Sequence, residues 1–135
     1  MKPIDLNSSK KYPLIVSLYG AGGRGDNIKK QLIDWNRQLA EQKIREDYPC
    51  YVLAPQSKDL WNADTLTLIK EVISLFPSVD MERIYILGNS IDGHGTFIYI
   101  QLDPDYFAAT AESVGAGRKQ TEDFIDAQLI KDIPI

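Results

Sequence analysis

The sequence contains a single histidine, His94, among 135 residues. Imidazole is the side chain most often used as a general base near neutral pH. A histidine-dependent catalytic site can therefore form at only one place in this chain. Cysteine is equally scarce, because Cys50 is the only one. That count excludes an internal disulfide and a metal site built from several cysteines.

Long apolar runs and an excess of basic charge are also missing. No apolar stretch approaches the roughly 20 residues that a transmembrane helix needs, and the polar segment before Lys11 is unlike a secretory signal. Lys and Arg total 15 against 19 for Asp and Glu, a formal net charge of -4. This balance provides no electrostatic footprint for nucleic acid or an anionic membrane, so neither is expected as a partner. These features do not determine the cellular compartment, and the cytoplasm is the default expectation when a sequence shows neither a signal peptide nor a transmembrane segment.

What remains is an ordinary globular composition, 44% hydrophobic and 25% charged, in a chain of one domain's length. Short apolar runs alternate with longer amphipathic stretches. The runs predict strands at residues 14–19, 51–54, 84–87 and 108–114, and the start of a fifth at 133–135. The stretches predict helices over 28–44, 66–76 (capped by Asn62 or Asp64), 93–102 and 121–130. This alternation predicts an α/β fold, a three-layer sandwich with a mainly parallel sheet between helices.

The first predicted strand runs into a glycine-rich turn, residues 20–25 (GAGGRG). Gly20, Gly22 and Gly25 match the dinucleotide-binding pattern G-x-G-x-x-G. That pattern also needs an acidic residue at the tip of the next strand to bind the ribose, whereas here that strand ends in Pro55 and Gln56. A nucleotide site and a purely conformational need for glycine are the alternatives for this turn.

A second turn, residues 88–93 (GNSIDG), follows the third predicted strand and opens a helix. It approximates the nucleophile elbow G-x-S-x-G, in which a serine lies on a tight strand-to-helix turn with its hydroxyl exposed. Asp92 stands where the pattern has its second glycine, and Gly93 comes one residue late. Because the pattern lies between a strand and a helix, Ser90 is a candidate nucleophile.

Taken together, the two turns and their strands resemble the α/β-hydrolase superfamily, in particular its dienelactone-hydrolase, polyester-depolymerase and prolyl-oligopeptidase-like esterases. The similar segments are residues 12–27, 51–56 with Trp61, 80–97 and 107–117. The resemblance implies the flavodoxin-like strand order 2-1-3-4, with residues 133–135 as a fifth strand beside the fourth. It also implies that residues 1–135 form a single incomplete domain, a truncated α/β-hydrolase core.

The resemblance assigns roles to individual residues. Ser90 would be the nucleophile, and the backbone N–H groups of Ala21 and Ile91 would form the oxyanion hole. In this family an acid and then a histidine follow the nucleophile in chain order, but His94 is the only histidine present. His94 lies one helical turn beyond Ser90, either as the catalytic base or as a residue packed locally on the helix. Tyr19 replaces the histidine that family members usually have before the oxyanion glycine.

The resemblance therefore predicts a serine hydrolase of the carboxylesterase type, acting on a small-molecule ester with no metal or other cofactor. This chain would be inactive or impaired, because no acid and histidine pair follows Ser90. The alternative is a non-catalytic pseudo-hydrolase or fragment that acts as a binding or structural module. In either case we expect exposed sheet edges, near residues 51–54 and 108–114 or Ile133, to favour self-association.

Overall fold

The computed structural model describes residues 1–27, 29–30, 32, 34–89, 91–113 and 125–135. Within them one all-parallel sheet has the order β2-β1-β3-β4. Its strands are β1 (Tyr12–Ser17), β2 (Tyr51–Leu53), β3 (Val79–Asn89) and β4 (Ala109–Ser113). The helices are α1 (Asp34–Leu39), α2 (Gln42–Asp47), α3 (Ala63–Ser74), α4 (Ile91–Leu102) and α5 (Ala127–Ile130). The predicted α/β class and strand order are confirmed.

The two central strands, β1 and β3, contribute the most deeply buried layer of the core. Leu14, Val16, Ile84 and Ile86 are each 0% exposed, and parallel pairing aligns the first of these with Ile84 and the second with Ile86. The four side chains belong to one cluster with the buried residues of α3 and α4. Burying a branched side chain of this size contributes about 1.5–3 kcal/mol. This layer therefore holds β1 and β3 in register, which determines where the loops after them lie.

Helix α3 begins where the sequence predicts, and Asn62 rather than Asp64 is its cap. The Asn62 side chain accepts a hydrogen bond from Thr65 N at 3.0 Å, and Thr65 Oγ1 accepts one from Asn62 N at 2.9 Å. These two bonds satisfy backbone donors that the first turn cannot pair. The Thr65 hydroxyl also lies 2.8 Å from the Tyr99 hydroxyl of α4. The cap thus connects the start of α3 to its neighbouring helix.

The single helix predicted over residues 28–44 is wrong. The structure has two short helices there, α1 and α2, and residues 28, 31 and 33 lie outside the described part. Helix α1 closes where Ala40 N donates to Asn36 O and Arg37 O, at 3.2 and 3.0 Å. Glu41 is then extended, with φ -60° and ψ 139°, before α2 starts. The apolar spacing continues across this break, which is why periodicity did not detect it.

The two predicted elements at the carboxyl end are also corrected. Of the helix predicted over 121–130, only Ala127–Ile130 is helical among the described residues, and 121–124 lie outside them. Asp126 starts this short helix, because its side chain accepts from Gln128 N at 3.0 Å. Residues 133–135 form no strand, although Pro134 O accepts from Thr110 N of β4 at 2.9 Å. Proline has no N–H with which to continue such a ladder.

The outer edges of the sheet are partly occupied by the chain itself. On β2, the Met1 ammonium donates to Val52 O at 2.7 Å, and Val52 N donates to Met1 O at 3.1 Å. On β4, the contact with Pro134 occupies Thr110 N. These contacts shorten the exposed edges on which the expected self-association depends, and self-association itself stays a prediction. No helix among the described residues is long and apolar enough to span a membrane.

Candidate active site

The two glycine turns lie side by side at the carboxyl edge of the sheet. Their strands are adjacent, with Ser17 of β1 opposite Leu87 of β3. Immediately beyond this pair, Leu18 N donates to Leu87 O at 2.8 Å. The first glycine turn follows β1 along the chain, and the second glycine turn follows β3. Open α/β sheets bind their ligands outside this edge, so the structure brings the two predicted motifs together where ligands bind.

The second turn converts a strand into a helix within one residue. Strand β3 ends at Asn89 and α4 begins at Ile91, which leaves Ser90 as the connection. Ser90 itself lies outside the described residues. As the first residue of α4, Ile91 contributes one of the backbone N–H groups that have no partner within the helix. The partial positive charge of the helix dipole is concentrated at the same end.

The first turn is a tight 3-10 turn over Ala21–Gly23, closed by a hydrogen bond from Gly23 N to Gly20 O at 2.8 Å. The backbone of the predicted oxyanion residue Ala21 belongs to this turn. A Cβ on Gly23 would lie 1.9 Å from Tyr19 Cδ2, and Gly25 has φ 125°. Side chains are strongly disfavoured in that φ region. The conformational need for glycine is therefore confirmed at these two positions.

Contacts with the loop after β2 hold the first turn in place. The Tyr19 hydroxyl donates to Ser57 O at 2.9 Å and accepts from Ser57 N at 2.6 Å. Gln56 Nε2 donates to Gly23 O at 2.6 Å, and Gly25 N donates to Ser57 O at 3.1 Å. Tyr19 is thus a buried structural residue whose polar end is engaged by backbone. Its replacement of the family's usual histidine gives the loop an anchor.

A series of aromatic contacts connects this loop to α4. The Tyr19 ring meets Trp61 edge to face with 5.4 Å between centroids, and Trp61 meets Tyr99 of α4 in the same way at 6.1 Å. Trp61 also packs directly on the helix backbone, because a Cβ on Gly95 would lie 2.2 Å from Trp61 Cδ1. The positions of the glycine turn and of the start of α4 are therefore set by one shared aromatic layer.

The chain matches a thermostable esterase of known structure with TM-score 0.80 and 34% identity, over 98% of this chain and 39% of that one. The chain belongs to the α/β-hydrolase superfamily. The Francisella virulence factor BioJ has the same fold, with TM-score 0.54 and 18% identity over 82% of this chain and 37% of its own. So does the ferulic acid esterase AmCE1/Fae1A of Anaeromyces mucronatus, with TM-score 0.52 and 14% identity over 83% of this chain and 50% of its own. No family sequence model and no curated protein matches the chain.

The α/β-hydrolase core places its single histidine on α4. His94 is half-buried, and its Nδ1 is inaccessible to solvent. It follows the elbow on the same helix, whereas the serine of such an elbow projects away from its helix. The described residues provide no distance between His94 and Ser90, so the base role of His94 stays a prediction.

The sequence interpretation missed Glu112, which lies at the carboxyl end of β4 opposite Gly88. Both of its carboxyl oxygens are inaccessible to solvent. Burial raises the pKa of Glu112 to about 8, and the Thr96 side chain of α4 acts in the opposite direction. A signal was available, because strand alternation places Glu112 on the same face as the buried Thr110. The strand thus carries a carboxyl group toward the elbow that is protonated at neutral pH.

Two surface cavities differ in their distance along the strands from the carboxyl edge of the sheet, where the two glycine turns lie. A groove of about 390 Å³ lies beside the loop after β2, and its lining includes Gln56, Ser57 and Trp61. A larger one of about 610 Å³ is lined by Lys11, Tyr12 and other residues at the amino ends of the strands. Only the smaller cavity shares residues with the glycine-turn contacts, so it is the one relevant to the site. Among the described residues, no group of three His, Cys, Asp or Glu side chains is arranged to hold a metal.

Proposed function

We propose that this chain carries the nucleophile and the oxyanion hole of an ester hydrolase, with Ser90 as the nucleophile. One observation carries the proposal: β3 ends at Asn89 and α4 begins at Ile91, next to the turn formed by Ala21–Gly23. A serine between such elements is exposed toward the ligand edge. The 34% identity to a thermostable esterase, over 98% of this chain, supports the choice of ester hydrolysis.

The proposed reaction begins when Ser90 Oγ attacks the carbonyl carbon of an ester and its hydroxyl proton passes to a base. The oxyanion of the tetrahedral intermediate accepts hydrogen bonds from the N–H groups of Ala21 and Ile91. Each such donor is worth about 3–4 kcal/mol in the transition state. The C–O bond to the alcohol then breaks, and the leaving oxygen takes up the proton. Water, deprotonated by the same base, then attacks the acyl carbon. The C–O bond to Ser90 breaks, Ser90 Oγ takes the proton back from the base, and the acid is released.

His94 is the candidate base within this chain, as the only histidine of the sequence. Its place on the helix that follows Ser90, instead of on a separate loop, favours the second candidate function, a non-catalytic module that binds ligands without turning them over. The two functions differ in whether Ser90 can form a covalent acyl or phosphonyl bond.

A fluorophosphonate probe and a short-chain aryl ester test this proposal. Folded protein should be labelled once and should release the aryl alcohol slowly, because no acid and histidine pair follows Ser90 in this sequence, and Ser90→Ala should lose both. The matched control is Ser113→Ala, because Ser113 is an exposed serine opposite Asn89 at the end of β4. His94→Gln should slow labelling by about 10²–10⁴-fold if His94 is the base.

Two results would contradict the proposal. Labelling that persists in Ser90→Ala would place the nucleophile elsewhere. A folded protein that neither reacts with the probe nor hydrolyses the ester would support the non-catalytic module.

A further inference from the structure

One face of the sheet is less completely covered than the other. On the covered face, Leu14, Val16, Ile84 and Ile86 are each 0% exposed and belong to the cluster that contains buried residues of α3 and α4. The side chains that alternate with them on the opposite face are half-buried or exposed. These residues, which we call the open strip, are Ile15, Tyr85, Leu87, Ala109 and Ala111. Parallel sheets are covered by helices on both faces, so the open strip indicates a missing neighbour.

Three surface cavities lie along the open strip and share its residues. The cavity of about 610 Å³ described above and a second of about 210 Å³ both have Ile15 and Tyr85 in their lining. The second also shares Leu87 with a third cavity, of about 270 Å³. The three cavities therefore form one continuous trough along the strip.

Helices α1 and α2 form one wall of this trough. Trp35 and Leu39 of α1 line the third cavity together with Ile44 of α2, and Trp35 Nε1 donates to Ser17 Oγ at 3.0 Å. Each of these helices has only six residues. Beyond the wall the strip spans β3 and β4, a width of about 10 Å at the usual spacing of strands. That width is the diameter of one α-helix.

The floor of the trough suits a helix in shape and polarity. Large and small side chains lie side by side on it, because Tyr85 is opposite Ala109 and Leu87 is opposite Ala111. The two alanines allow a helix to approach β4 closely, and the larger side chains pack between its turns. Among the described residues, no charged side chain lines the cavity of about 210 Å³. The floor therefore matches the apolar face of an amphipathic helix.

The amino end of the trough carries an excess of positive charge, although the whole protein has a net charge of -4. Three acidic side chains line the cavity of about 610 Å³ there, against four basic ones, which are Lys10, Lys11, Arg45 and Arg83. Asp47 among the acids is paired with Lys43, and Arg83 among the bases is paired with Asp80. The remaining excess favours a partner that has carboxylates at the corresponding end.

A second copy of this chain is a poor complement to the trough. Two copies packed with their strands in the same direction would bring the basic ends together, and like charges in contact disfavour association. With the strands in opposite directions, each basic end would lie over the uncharged floor and lose water without gaining a partner. A helix with acidic residues at one end avoids both costs.

We propose that the open strip is a docking site for an amphipathic helix of another polypeptide, acidic in its first turn. The apolar side chains of that helix, three and four positions apart, lie over Tyr85 and Leu87 and against the wall formed by α1 and α2. Its carboxylates reach Lys10 and Lys11 at the amino end of the trough. The docking site lies on a face of the sheet and does not involve Ser90, so it is independent of the proposed function.

The probe for this site is an alanine-rich peptide of about 14 residues, long enough to cover the roughly 20 Å from Arg83 to Asn89 along β3. It carries leucines three and four positions apart and glutamates in its first turn, where they also favour the helix. Fluorescence anisotropy measures its binding to the unmodified protein, and amide NMR locates it. Binding should shift the amide resonances of Leu87 and Ala111, but not that of Leu68 on the exposed side of α3.

Substitutions in the protein and in the peptide separate the apolar contact from the charge. Ala111→Asp should weaken binding by at least about 10-fold, because the helix would bury a carboxylate without a partner. Ala63→Asp, the same change at an exposed alanine on α3, should change binding less than about 2-fold. Replacing the peptide's glutamates by lysines should weaken binding about 5-fold at low salt, and the difference should shrink at about 0.5 M salt.

Three results would overturn the proposal. The first is a peptide that shifts neither the Leu87 nor the Ala111 amide, and the second is a lysine peptide that binds as tightly as the acidic one. The third is a dimer of the unmodified protein, seen by light scattering, that Ala111→Asp dissociates, because a second copy would then occupy the strip. The NMR titration needs no variant and no reaction at Ser90, so neither poor folding of a variant nor failure of the proposed function affects it.

Discussion

The buried carboxyl of Glu112 predicts an unusual dependence of stability on pH. Its ordinary pKa of 4.5 is raised to about 8 in the folded protein, with burial as the main cause. Between these two values the folded state holds a proton that the unfolded state has lost. The stabilising contribution is therefore complete below about pH 4.5 and is lost as pH rises through about 8. Glu112→Gln, which cannot ionise, should remove this dependence.

The size of the effect follows from the linkage of one proton. The free energy of unfolding can change by at most about 1.4 kcal/mol per pH unit. Because the side chain is only partly buried, water screens the charge, and we expect a total loss of about 2 kcal/mol across the window. For a chain of this length that corresponds to a decrease in Tm of about 6–10 °C.

Urea and thermal unfolding from pH 5 to pH 9 would measure this loss. Glu71→Gln is the matched control, because Glu71 is an exposed glutamate on α3. The readout is the difference between each variant and the unmodified protein. Burial lowers the pKa of the Met1 ammonium, which adds an opposite slope near pH 8 to every curve. The reasoning is refuted if the Glu112→Gln protein still shows the full decrease in stability as pH rises. It is also refuted if the Glu71→Gln protein no longer shows that decrease.

Two further substitutions test the contacts that hold the site. Gly95→Ala should lower the free energy of unfolding by about 1–3 kcal/mol, because the new Cβ would lie 2.2 Å from Trp61 Cδ1; urea unfolding measures this. Gly22→Ala, where a Cβ meets nothing within 4 Å, is its control, and equal losses would contradict the packing argument. Tyr19→Phe should cost about 1–3 kcal/mol, since it leaves the Ser57 backbone N–H and C=O without the hydroxyl that they contact at 2.6 and 2.9 Å. An unchanged urea midpoint would show that this anchor contributes nothing.

Predictions from the sequence succeeded where the signal was local. Apolar runs identify strands because burial on both faces of a parallel sheet requires them, and the Asn62 cap depends on residues three positions apart. The motif around Ser90 was recognised from its flanking strand and helix, and the resemblance to hydrolases supplied the strand order. The prediction over residues 28–44 failed because the apolar spacing continues through the extended backbone at Glu41.

The sequence by itself determined the α/β class, the two turns and the single histidine, His94, that limits the chemistry. Only the tertiary structure decided what surrounds them. Tyr19 meets a loop 38 residues away, and Trp61 covers Gly95 from a different element. Solvent exclusion around Arg24 and Glu112 likewise depends on the loops and helices packed over them. Whether a charged side chain is solvated, paired or held protonated depends on that packing, because the cost of a charge is set by the groups that replace water around it.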